Sequence, residues 1–332
     1  MIWRIAGGAL LAFVTAVYVF NASWLAPKPQ GAARFMAHRG VHHLYDRTGL
    51  GKFDCTATRI FPPAHEFIEN TIPSMRAAFE AGADMVEIDI HPTTDGEIAV
   101  FHDWTLDCRT EGAGVTRTHP MTYLKTLDVG YGYTADGGKS FPLRGKGVGL
   151  MPTLAEVLMA FPDKRFLINF MSGPGDDDAE LLAAYLKRLP QANPDRLMVY
   201  GNHAQVNRLR ELMPMVRGFS TRQAKRCLRG YVMWGWAGHM PKACHNTWIG
   251  LPVNYRHLIW GWPNRLQARA AAVDSEIVIT GPIHETKALG GLNTHAALAK
   301  VPATFTGWIW TDKIEEINPG RRNPEHVAGS RR

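Results

Sequence analysis

Short apolar runs alternate with amphipathic segments along most of the chain. Runs rich in Ile, Val, Phe and Trp predict β-strands, and they lie at residues 34–37, 85–90, 98–101, 165–170, 197–200, 216–219, 247–253, 277–280 and 308–310. Helical spacing of apolar residues separates most of them. One helix is predicted with Thr71 as its N-cap, Pro73 in its first turn and Gly82 as its stop signal. A second is predicted over Asp178–Leu189.

This alternation of strands and helices predicts an α/β protein. A (β/α)₈ TIM barrel over residues 34–317 fits the length, and a doubly wound open sheet is the alternative. The chain has 332 residues, of which 45% are hydrophobic, so it can bury a core of this size. Residues 27–33, "PKPQGAA", are predicted to form a linker, and the basic stretch 318–332 a mobile tail.

The amino-terminal segment contains a long uncharged run, from Ile5 to Ala26, that follows Arg4. At about 1.5 Å per residue in a helix, this run is long enough to span a bilayer. We predict an uncleaved membrane anchor over residues 1–26, because no small-x-small cleavage site follows the run. A cleaved signal peptide is the alternative.

The net charge restricts the class of binding partner, and the cysteine spacing restricts the kind of metal site. The formal net charge of +7 favours an anionic partner, such as a phosphate compound or a lipid headgroup surface. Nucleic acid is not expected, because the basic residues are scattered and no nucleic-acid-binding signature is present. The four cysteines lack C-x-x-C spacing, which disfavours a zinc site and leaves two options, disulfides outside the cytoplasm or four free thiols.

Candidate chemistry first emerges at Val86–Ile90. Side chains alternate along a strand, so Glu87 and Asp89 share one face while the aliphatic residues share the other. Two carboxylates buried side by side repel each other, and a cation is their natural partner. If the acids instead face water, this is simply a half-exposed edge strand. His38 and His102 follow neighbouring predicted strands, so a barrel would bring both to the same rim as the acids.

Five short motifs occur in order: "AHRG" at 37–40, "ENT" at 69–71, "EID" at 87–89, "TTDG" at 93–96 and "HD" at 102–103. Together they resemble the glycerophosphodiester phosphodiesterase family, specifically from Phe35 to about Arg117, with "WIWTD" similar to the family's last strand. The resemblance implies a TIM barrel with one divalent cation, Mg²⁺ or Ca²⁺. It also implies that Glu87 and Asp89 hold the cation, that His38 and His102 form an acid–base pair, and that Arg39 binds phosphate.

The fourth predicted strand departs from the family pattern. The family ends this strand with an acid-x-basic pattern, in which the acid is the third metal ligand, whereas this chain has Asn169 and Met171. An amide oxygen can coordinate a hard cation but brings no negative charge, so Asn169 is expected to hold the metal more weakly. Asp176 or Asp177 in the following loop is the alternative third ligand.

Further side chains receive weaker assignments. Glu69 is grouped with the substrate-binding residues and is expected chiefly to organise a loop and helix start, and Trp310 is expected to line the mouth of the barrel. The insertion Val41–Ile68, which contains three histidines, is expected to be a lid or substrate loop. His91 and His119 are expected in surface or loop positions. The Trp pairs of the two "WGW" stretches and of "WIW" are expected to pack in the core.

These patterns predict a membrane-anchored, metal-dependent phosphodiesterase that converts a glycerophosphodiester or lysophospholipid to a phosphomonoester, such as glycerol 3-phosphate, and an alcohol. The alternatives are a phospholipase D-like lyase that forms a cyclic phosphate and a non-catalytic lipid-headgroup-binding relative. The catalytic domain is expected to be periplasmic or otherwise extracytoplasmic. Disulfides are accordingly expected between Cys55 and Cys108, which lie on loops of one barrel face, and between Cys227 and Cys244.

Overall fold

The computed structural model describes residues 2–51, 54–171, 173, 175–190, 192–283 and 290–317. The predicted mobile tail, 318–332, lies outside the described residues. The strands are β1 Arg34–His38, β2 Met85–Pro92, β3 Ile98–Val100, β4 Arg165–Phe170, β5 Leu197–Gly201, β6 Arg217–Ser220, β7 Trp248–Pro252, β8 Glu276–Thr280 and β9 Trp308–Thr311.

Eight of these strands are parallel and follow the order β6-β5-β4-β2-β1-β9-β8-β7, while the short β3 pairs with β2 in antiparallel fashion. This order places β6 and β7 at the two ends of the path, where they meet as the barrel nears closure. No ladder joins those two strands within the part of the chain that the structure describes. The predicted barrel is therefore confirmed as a near-closed one, and the open doubly wound sheet is wrong.

The two barrel helices that the sequence located, one after Thr71 and one from Asp178, are both present. The helices are α1 Ile2–Asn21, α2 Ile72–Glu80, α3 Met121–Leu124, α4 Leu154–Ala160, α5 Asp178–Arg188, α6 His203–Leu212, α7 Thr221–Trp234, α8 Asn264–Ala271, α9 His295–Leu298 and α10 Ile314–Ile317. Thr71 caps α2 by accepting a hydrogen bond from the Ser74 amide, and Thr153 and Glu156 form a capping box at α4. These caps satisfy helix-end amides that would otherwise lack partners.

Side-chain alternation divides the barrel strands into two faces. One face packs against the surrounding helices. The other fills the barrel interior with a layer of large side chains, namely Met36, Met85, Leu167, Met198, Trp248, Val278 and Trp308. Because the side-chain period of a strand is two residues, the next inward layer towards the strand ends begins two positions later along each strand. That layer carries the candidate functional residues.

A second hydrophobic cluster forms a cap above the barrel. Its members come from the insertion after β1 and from the segment between β3 and α4, and include Ile60, Leu106 and Tyr133. A disulfide joins Cys55 in the insertion to Cys108 in the second segment, with their Cα atoms 5.4 Å apart. The other disulfide joins Cys227 of α7 to Cys244 before β7. Both predicted pairings are confirmed.

Helix α1 is long and apolar enough to cross a membrane, and its central window is exposed rather than buried in the barrel. Length and composition alone fit a membrane anchor and a signal sequence equally.

The expectation of core packing is wrong for one of the tryptophans. Trp234 ends α7, so it is not on an extended chain, and 54% of its surface is exposed. Trp308 is fully buried as expected, and Trp236, Trp260, Trp262 and Trp310 are half-buried. The exposed Trp234 therefore calls for a different explanation.

Candidate active site

The inward layer at the strand ends gathers polar side chains from five strands. His38 stands two residues after Met36, Glu87 two after Met85, Asn169 two after Leu167, Tyr200 two after Met198 and Trp310 two after Trp308. Strand register aligns His38 with Glu87 and Asp89 with Asn169. The apolar layer below and the polar layer above thus follow from one alternating pattern, and the polar layer lies at the mouth, the barrel end where the parallel strands finish.

His38 is buried between two carboxylates. Its Nδ1 lies 2.7 Å from Asp312 Oδ1, and its Nε2 lies 3.8 Å from Glu87 Oε2. Burial lowers the pKa of His38, the Arg39 charge lowers it further, and the hydrogen bond to Asp312 opposes both. Burial alone would raise the pKa of Asp312, but the contact with His38 holds it well below its usual range. Asp312 therefore fixes the orientation of the ring and leaves Nε2 facing the acids.

Glu87 and Asp89 are both fully buried. Tyr200 donates to Glu87 Oε1 at 2.7 Å, and the Arg39 amide donates to Oε2 at 3.2 Å. Burial and then the charge of Asp89 raise the pKa of Glu87 well above its usual value. Burial would also raise the pKa of Asp89, but the Arg39 guanidinium outweighs it and keeps that pKa low. The raised pKa of Glu87 thus indicates that the site lacks a positive charge next to this carboxylate.

Arg39 is the buried cation of this cluster. Its Nε lies 3.1 Å from Asp89 Oδ2, and its Nη1 donates to Glu69 Oε1 at 2.9 Å. The residue has a left-handed backbone with φ of 58°, which directs its amide to Glu87. The next residue, Gly40, has φ of 82°, and a Cβ there would clash with Ser74. The "HRG" motif therefore fixes the backbone conformation at the site and also supplies side chains to it.

Asn169 occupies the position predicted for a third metal ligand. Its Nδ2 donates to Asp89 Oδ1 at 2.8 Å, and it also lies 3.5 Å from the sulfur of Met171. Asp176 and Asp177, the alternative ligands, instead form ion pairs with Arg117 at 2.7 and 3.0 Å. The structure therefore brings Asn169, rather than either loop aspartate, to the buried acids.

His102 follows the short strand β3 and faces the same site. Its Nδ1 lies 2.6 Å from Asp103 Oδ1, and the other oxygen of Asp103 accepts a hydrogen bond from Arg109 Nε at 2.9 Å. Arg109 also pairs with Glu69 at 2.9 Å. Burial would raise the pKa of Glu69, but Arg109 and Arg39 hold it well below its usual range. Glu69 therefore links the two arginines, and its assignment as a substrate-binding residue stays a prediction.

His42 extends the cluster on the far side of His38. It is fully buried, and neither of its ring nitrogens has a hydrogen-bond partner. Its ligand atom, one from His38 and one from Asp312 all lie within 4.8 Å of one another, a spacing that could hold a metal ion. His42, which the sequence analysis placed in a lid or substrate loop, thus belongs to the site. The "HH" pair in the sequence was compatible with a metal ligand but did not identify one.

Trp310 forms part of the wall, and its ring centroid lies 5.1 Å from that of His38 and 5.8 Å from that of Tyr200. Its predicted place near the mouth agrees with this geometry. His91 was expected at the surface, and that expectation is wrong. It lies on β2, is buried against Trp104, and burial lowers its pKa to about 4. Its position two residues after Asp89 on the same buried strand explains the difference.

Sequence reasoning gave no site role to several residues that lie in the site, Asp103 and His42 among them. Asp312 stands in the quoted "WIWTD" stretch and Asn70 in "ENT", where its Nδ2 donates to Asp89 at 2.9 Å, so both had a motif to point to them. Tyr200 and Arg109 had no such signal.

The residues present fit the hard divalent cation that the resemblance implies. Glu87 and Asp89 supply two carboxylates, and the raised pKa of Glu87 indicates missing positive charge. Asn169 lies beside them with its amide Nδ2, rather than its oxygen, turned towards Asp89. Oxygen donors such as the two carboxylates suit Mg²⁺ or Ca²⁺. The set carries two negative charges instead of three, so the fit is to a weakly held ion.

Comparison with known proteins agrees with this geometry. Residues 38–225 match the model of the glycerophosphoryl diester phosphodiesterase family. The chain is 39% identical over 101 residues to a glycerophosphodiester phosphodiesterase of Caldanaerobacter subterraneus, covering 30% of this chain and 38% of that protein. It is 29% identical over 144 residues to a human lysophospholipase D, covering 42% of each. The chain thus spans well under two thirds of the length of these relatives.

Solved structures show the same fold at low identity. A glycerophosphoryl diester phosphodiesterase domain from Mycobacterium tuberculosis superposes with a TM-score of 0.60 at 16% identity, covering 88% of this chain and all of that one. A phosphodiesterase from Oleispira antarctica, solved with the product sn-glycerol-3-phosphate, gives a TM-score of 0.56 at 16% identity, covering 88% and 98%. The family match extends over more than half of the chain and includes both histidine motifs. The chain therefore belongs to the glycerophosphoryl diester phosphodiesterase family.

Proposed function

We propose that the protein is a membrane-anchored, metal-dependent phosphodiesterase. It hydrolyses glycerophosphodiesters or lysophospholipids to a phosphomonoester, such as glycerol 3-phosphate, and an alcohol. The observation that carries this proposal is the pair of histidines, each hydrogen-bonded to its own carboxylate, beside the two buried acids: His38 with Asp312 and His102 with Asp103. Such pairing fits imidazoles that move protons.

Glu87, Asp89 and Asn169 would hold one divalent cation, Mg²⁺ or Ca²⁺. Members of this family are generally dependent on a divalent metal. When bound, the cation supplies Lewis-acid polarisation of a phosphoryl oxygen and neutralises developing negative charge. Arg39, already buried beside Asp89, would bind another phosphate oxygen through its guanidinium.

The histidines would then divide the proton transfers. One takes a proton from the nucleophile, and the other gives a proton to the departing alkoxide. Asp312 and Asp103 hold the two rings so that each Nε2 is free to face the substrate. Trp310 beside His38 would pack against the alcohol or glycerol portion and exclude water from that side.

Product analysis separates this function from its two alternatives. Glycerophosphocholine and lysophosphatidylcholine would be incubated in ¹⁸O-labelled water, with and without Mg²⁺ or Ca²⁺, and the products identified by mass spectrometry. Hydrolysis gives a phosphomonoester that contains ¹⁸O. A lyase instead gives a cyclic phosphate without it. Binding of both compounds without turnover under any metal condition would identify a non-catalytic headgroup-binding protein.

The histidine assignment has its own test. His38→Ala and His102→Ala should each lower turnover by roughly 10²-fold or more, because general acid–base catalysis contributes about that much. His119→Ala is a matched control, because the His119 ring lies outside the site, where it contacts Ala113 and Tyr123. Near-normal turnover in either site variant would remove that histidine from the mechanism.

We also propose that α1 is retained as a membrane anchor and that the barrel lies outside the cytoplasm, in the periplasm or an equivalent space. Two disulfides with no free cysteine support an oxidising compartment. The mature protein should keep residues 2–21 by intact mass and should resist extraction at alkaline pH. A mass that begins after residue 21 would identify α1 as a signal peptide.

A further inference from the structure

The end of α7 carries an exposed apolar edge, formed by Val232, Met233 and Trp234. Their exposed fractions are 46%, 63% and 54%. Three adjacent apolar side chains at one helix end are costly in water unless something covers them. We call this group the α7 edge.

Helix α1 docks directly beside the α7 edge. Asn21 donates from Nδ2 to the Trp236 carbonyl at 2.8 Å and accepts from Arg269 at 2.9 Å. The ring of Phe13 lies edge-on to Trp236 at 5.8 Å. Phe13 precedes Asn21 by eight residues, or about 12 Å along a helix. If α1 spans a bilayer, these contacts draw the α7 edge towards the interface between headgroups and acyl chains, where Trp is favoured.

The docking site lies at the barrel end opposite to the mouth. In a parallel barrel the helices run antiparallel to the strands, so the carboxyl end of α7 is found where the strands begin. The catalytic candidates are found where the strands finish, at positions such as His38 and Asp89. Membrane contact and catalysis therefore occupy opposite ends of the barrel.

The strand-start end is also basic near α7. Arg165 and Arg217 are the first residues of β4 and β6, and Arg229 and Lys242 lie on α7 and shortly after it. All four are exposed, and no ion pair involves them within the described ranges. Basic side chains close to a membrane surface are attracted to anionic lipid headgroups. The basic side chains and the apolar α7 edge thus both favour contact with an anionic lipid bilayer.

We propose that the strand-start end of the barrel rests on an anionic bilayer, with the α7 edge in the interfacial layer, and that the mouth faces the aqueous phase. This inference rests on the proposed anchor and the proposed phosphodiesterase activity. It narrows the substrate class, because a mouth directed away from the bilayer meets water-soluble, deacylated glycerophosphodiesters rather than lysophospholipids held in that bilayer.

The orientation is tested with the full chain reconstituted in vesicles. Every native cysteine is in a disulfide, so an introduced cysteine is the one thiol that takes an environment-sensitive fluorophore. The label would be placed at Met233→Cys in the α7 edge, at Phe61→Cys on the insertion above the mouth, and at Val148→Cys in the cap segment between β3 and α4. Phe61 and Val148 are 53% and 58% exposed, similar to Met233. Lipids carrying a spin label then quench whichever site lies near the bilayer.

We expect strong quenching at position 233 and little at 61 or 148. The quenching should increase when phosphatidylglycerol replaces part of the phosphatidylcholine. Replacing Arg165, Arg217, Arg229 and Lys242 by Gln should remove that increase. Equal quenching at 233 and 148, or stronger quenching at 61 than at 233, would overturn the orientation. None of these readouts depends on turnover, so they stand apart from the proposed activity.

The substrate class is tested in the same vesicles. Glycerophosphocholine in solution should be cleaved with at least a tenfold higher kcat/KM than lysophosphatidylcholine presented in the vesicle that holds the enzyme. Equal or faster cleavage of the lysophospholipid would contradict the inference. If neither compound is cleaved while position 233 is still quenched, the proposed activity fails and the bilayer orientation stands.

Discussion

The most informative single residue of the site is Asp312, which holds His38 from the far end of the chain. The two residues are 274 positions apart in sequence, and their side chains are 2.7 Å apart in the barrel. Asp312 also accepts hydrogen bonds from the Gly291 amide and the Asn293 side chain, at 2.8 and 2.9 Å. A carboxylate held this firmly keeps one tautomer of His38 and one ring orientation.

Asp312→Asn should therefore lower kcat by roughly 10-fold to 10²-fold with little change in KM, because the amide no longer favours a protonated His38. The pH dependence of kcat should shift as well, which loss of packing alone would not cause. Asp107→Asn, at an exposed position outside the site, is the control and should leave both unchanged. An unaltered pH profile in Asp312→Asn would show that Asp312 has only a structural role.

Asn169 permits a second prediction, on metal affinity. Asn169→Glu restores a third carboxylate beside Asp89 and should tighten Mg²⁺ or Ca²⁺ binding about tenfold, because affinity for these ions rises with ligand charge. Titration calorimetry with the metal alone measures this without turnover. Asp176→Ala should leave the affinity unchanged, because Asp176 is paired with Arg117. The reverse pattern, with no gain in the first variant and loss in the second, would place the third ligand at Asp176.

At this scale, local motifs predicted the candidates whose role depends on strand position. His38, Glu87, Asp89 and His102 could be assigned because strand alternation fixes their direction. Tyr200 and Arg109 could not, because each reaches the site only through contacts made after the barrel has formed. The sequence around them contains no pattern that distinguishes a site tyrosine or arginine from an ordinary core residue.

At the scale of elements, the cap is the part that the sequence describes least. The insertion after β1 was expected to be a lid, but it packs with the segment after β3 into a hydrophobic cluster of its own. Long connections have few local signals, so only the disulfide prediction linked these two segments in advance. The strands and the helices α2 and α5, in contrast, were predicted within a residue or two, because their periodicity and caps are local.

Breaking the cap disulfide should cost more stability than breaking the other one. The loop closed by Cys55 and Cys108 spans 53 residues, and that closed by Cys227 and Cys244 spans 17. Loop entropy then gives roughly 4 kcal/mol for the longer loop and roughly 3 kcal/mol for the shorter one. Denaturant unfolding of the two Cys→Ala double variants measures the difference. A larger loss from the shorter loop would mean that packing, rather than chain entropy, dominates.

The insertion should also respond to acid through His43, which stacks on His65 at 4.2 Å. Burial and then the His65 charge lower the pKa of His43 to about 4. The unfolded chain binds this proton near pH 6.5, so stability contributed by the neutral ring is lost as the pH falls from 6.5 towards 4. The slope is at most about 1.4 kcal/mol per pH unit for each such histidine.

His43→Phe keeps a stacked ring and removes the titrating nitrogens, so its free energy of unfolding should fall less than that of the wild type between pH 7 and pH 5. The control is His119→Phe, at a half-exposed site with no such stack, which should follow the wild type. Parallel curves for His43→Phe and the wild type would show that His43 does not titrate in this range.

At the scale of the whole molecule, the barrel followed from sequence, but the position of its seam between β6 and β7 did not. Nine apolar runs were predicted as strands, and the helical patterns between most of them predicted parallel pairing in a (β/α)₈ barrel. The missing ladder between β6 and β7 is a matter of register and distance across the barrel, which no local pattern encodes. The proposed orientation towards a membrane likewise depends on which surface residues the fold brings together at one end.

Hydrogen exchange should expose this seam. Backbone amides of β6 and β7 should exchange before those of β1 and β2, because the latter lie between paired neighbours on both sides. Replacing Cys227 and Cys244 by Ala should accelerate exchange at β6 and β7 more than at β1. Uniform exchange rates over the eight parallel strands would show that the seam is no weaker than the rest of the barrel.

The barrel resembles a ring that is split between β6 and β7, with the Cys227–Cys244 disulfide as a clasp beside the split. The Cys227–Cys244 bond constrains the segment that leads from β6 to β7, the two strands at the gap. In a reducing compartment the clasp would open, and the two strand edges would become available to proteases or to the edges of other chains. A reduced molecule is therefore expected to open at β6 and β7 before the rest of its core unfolds.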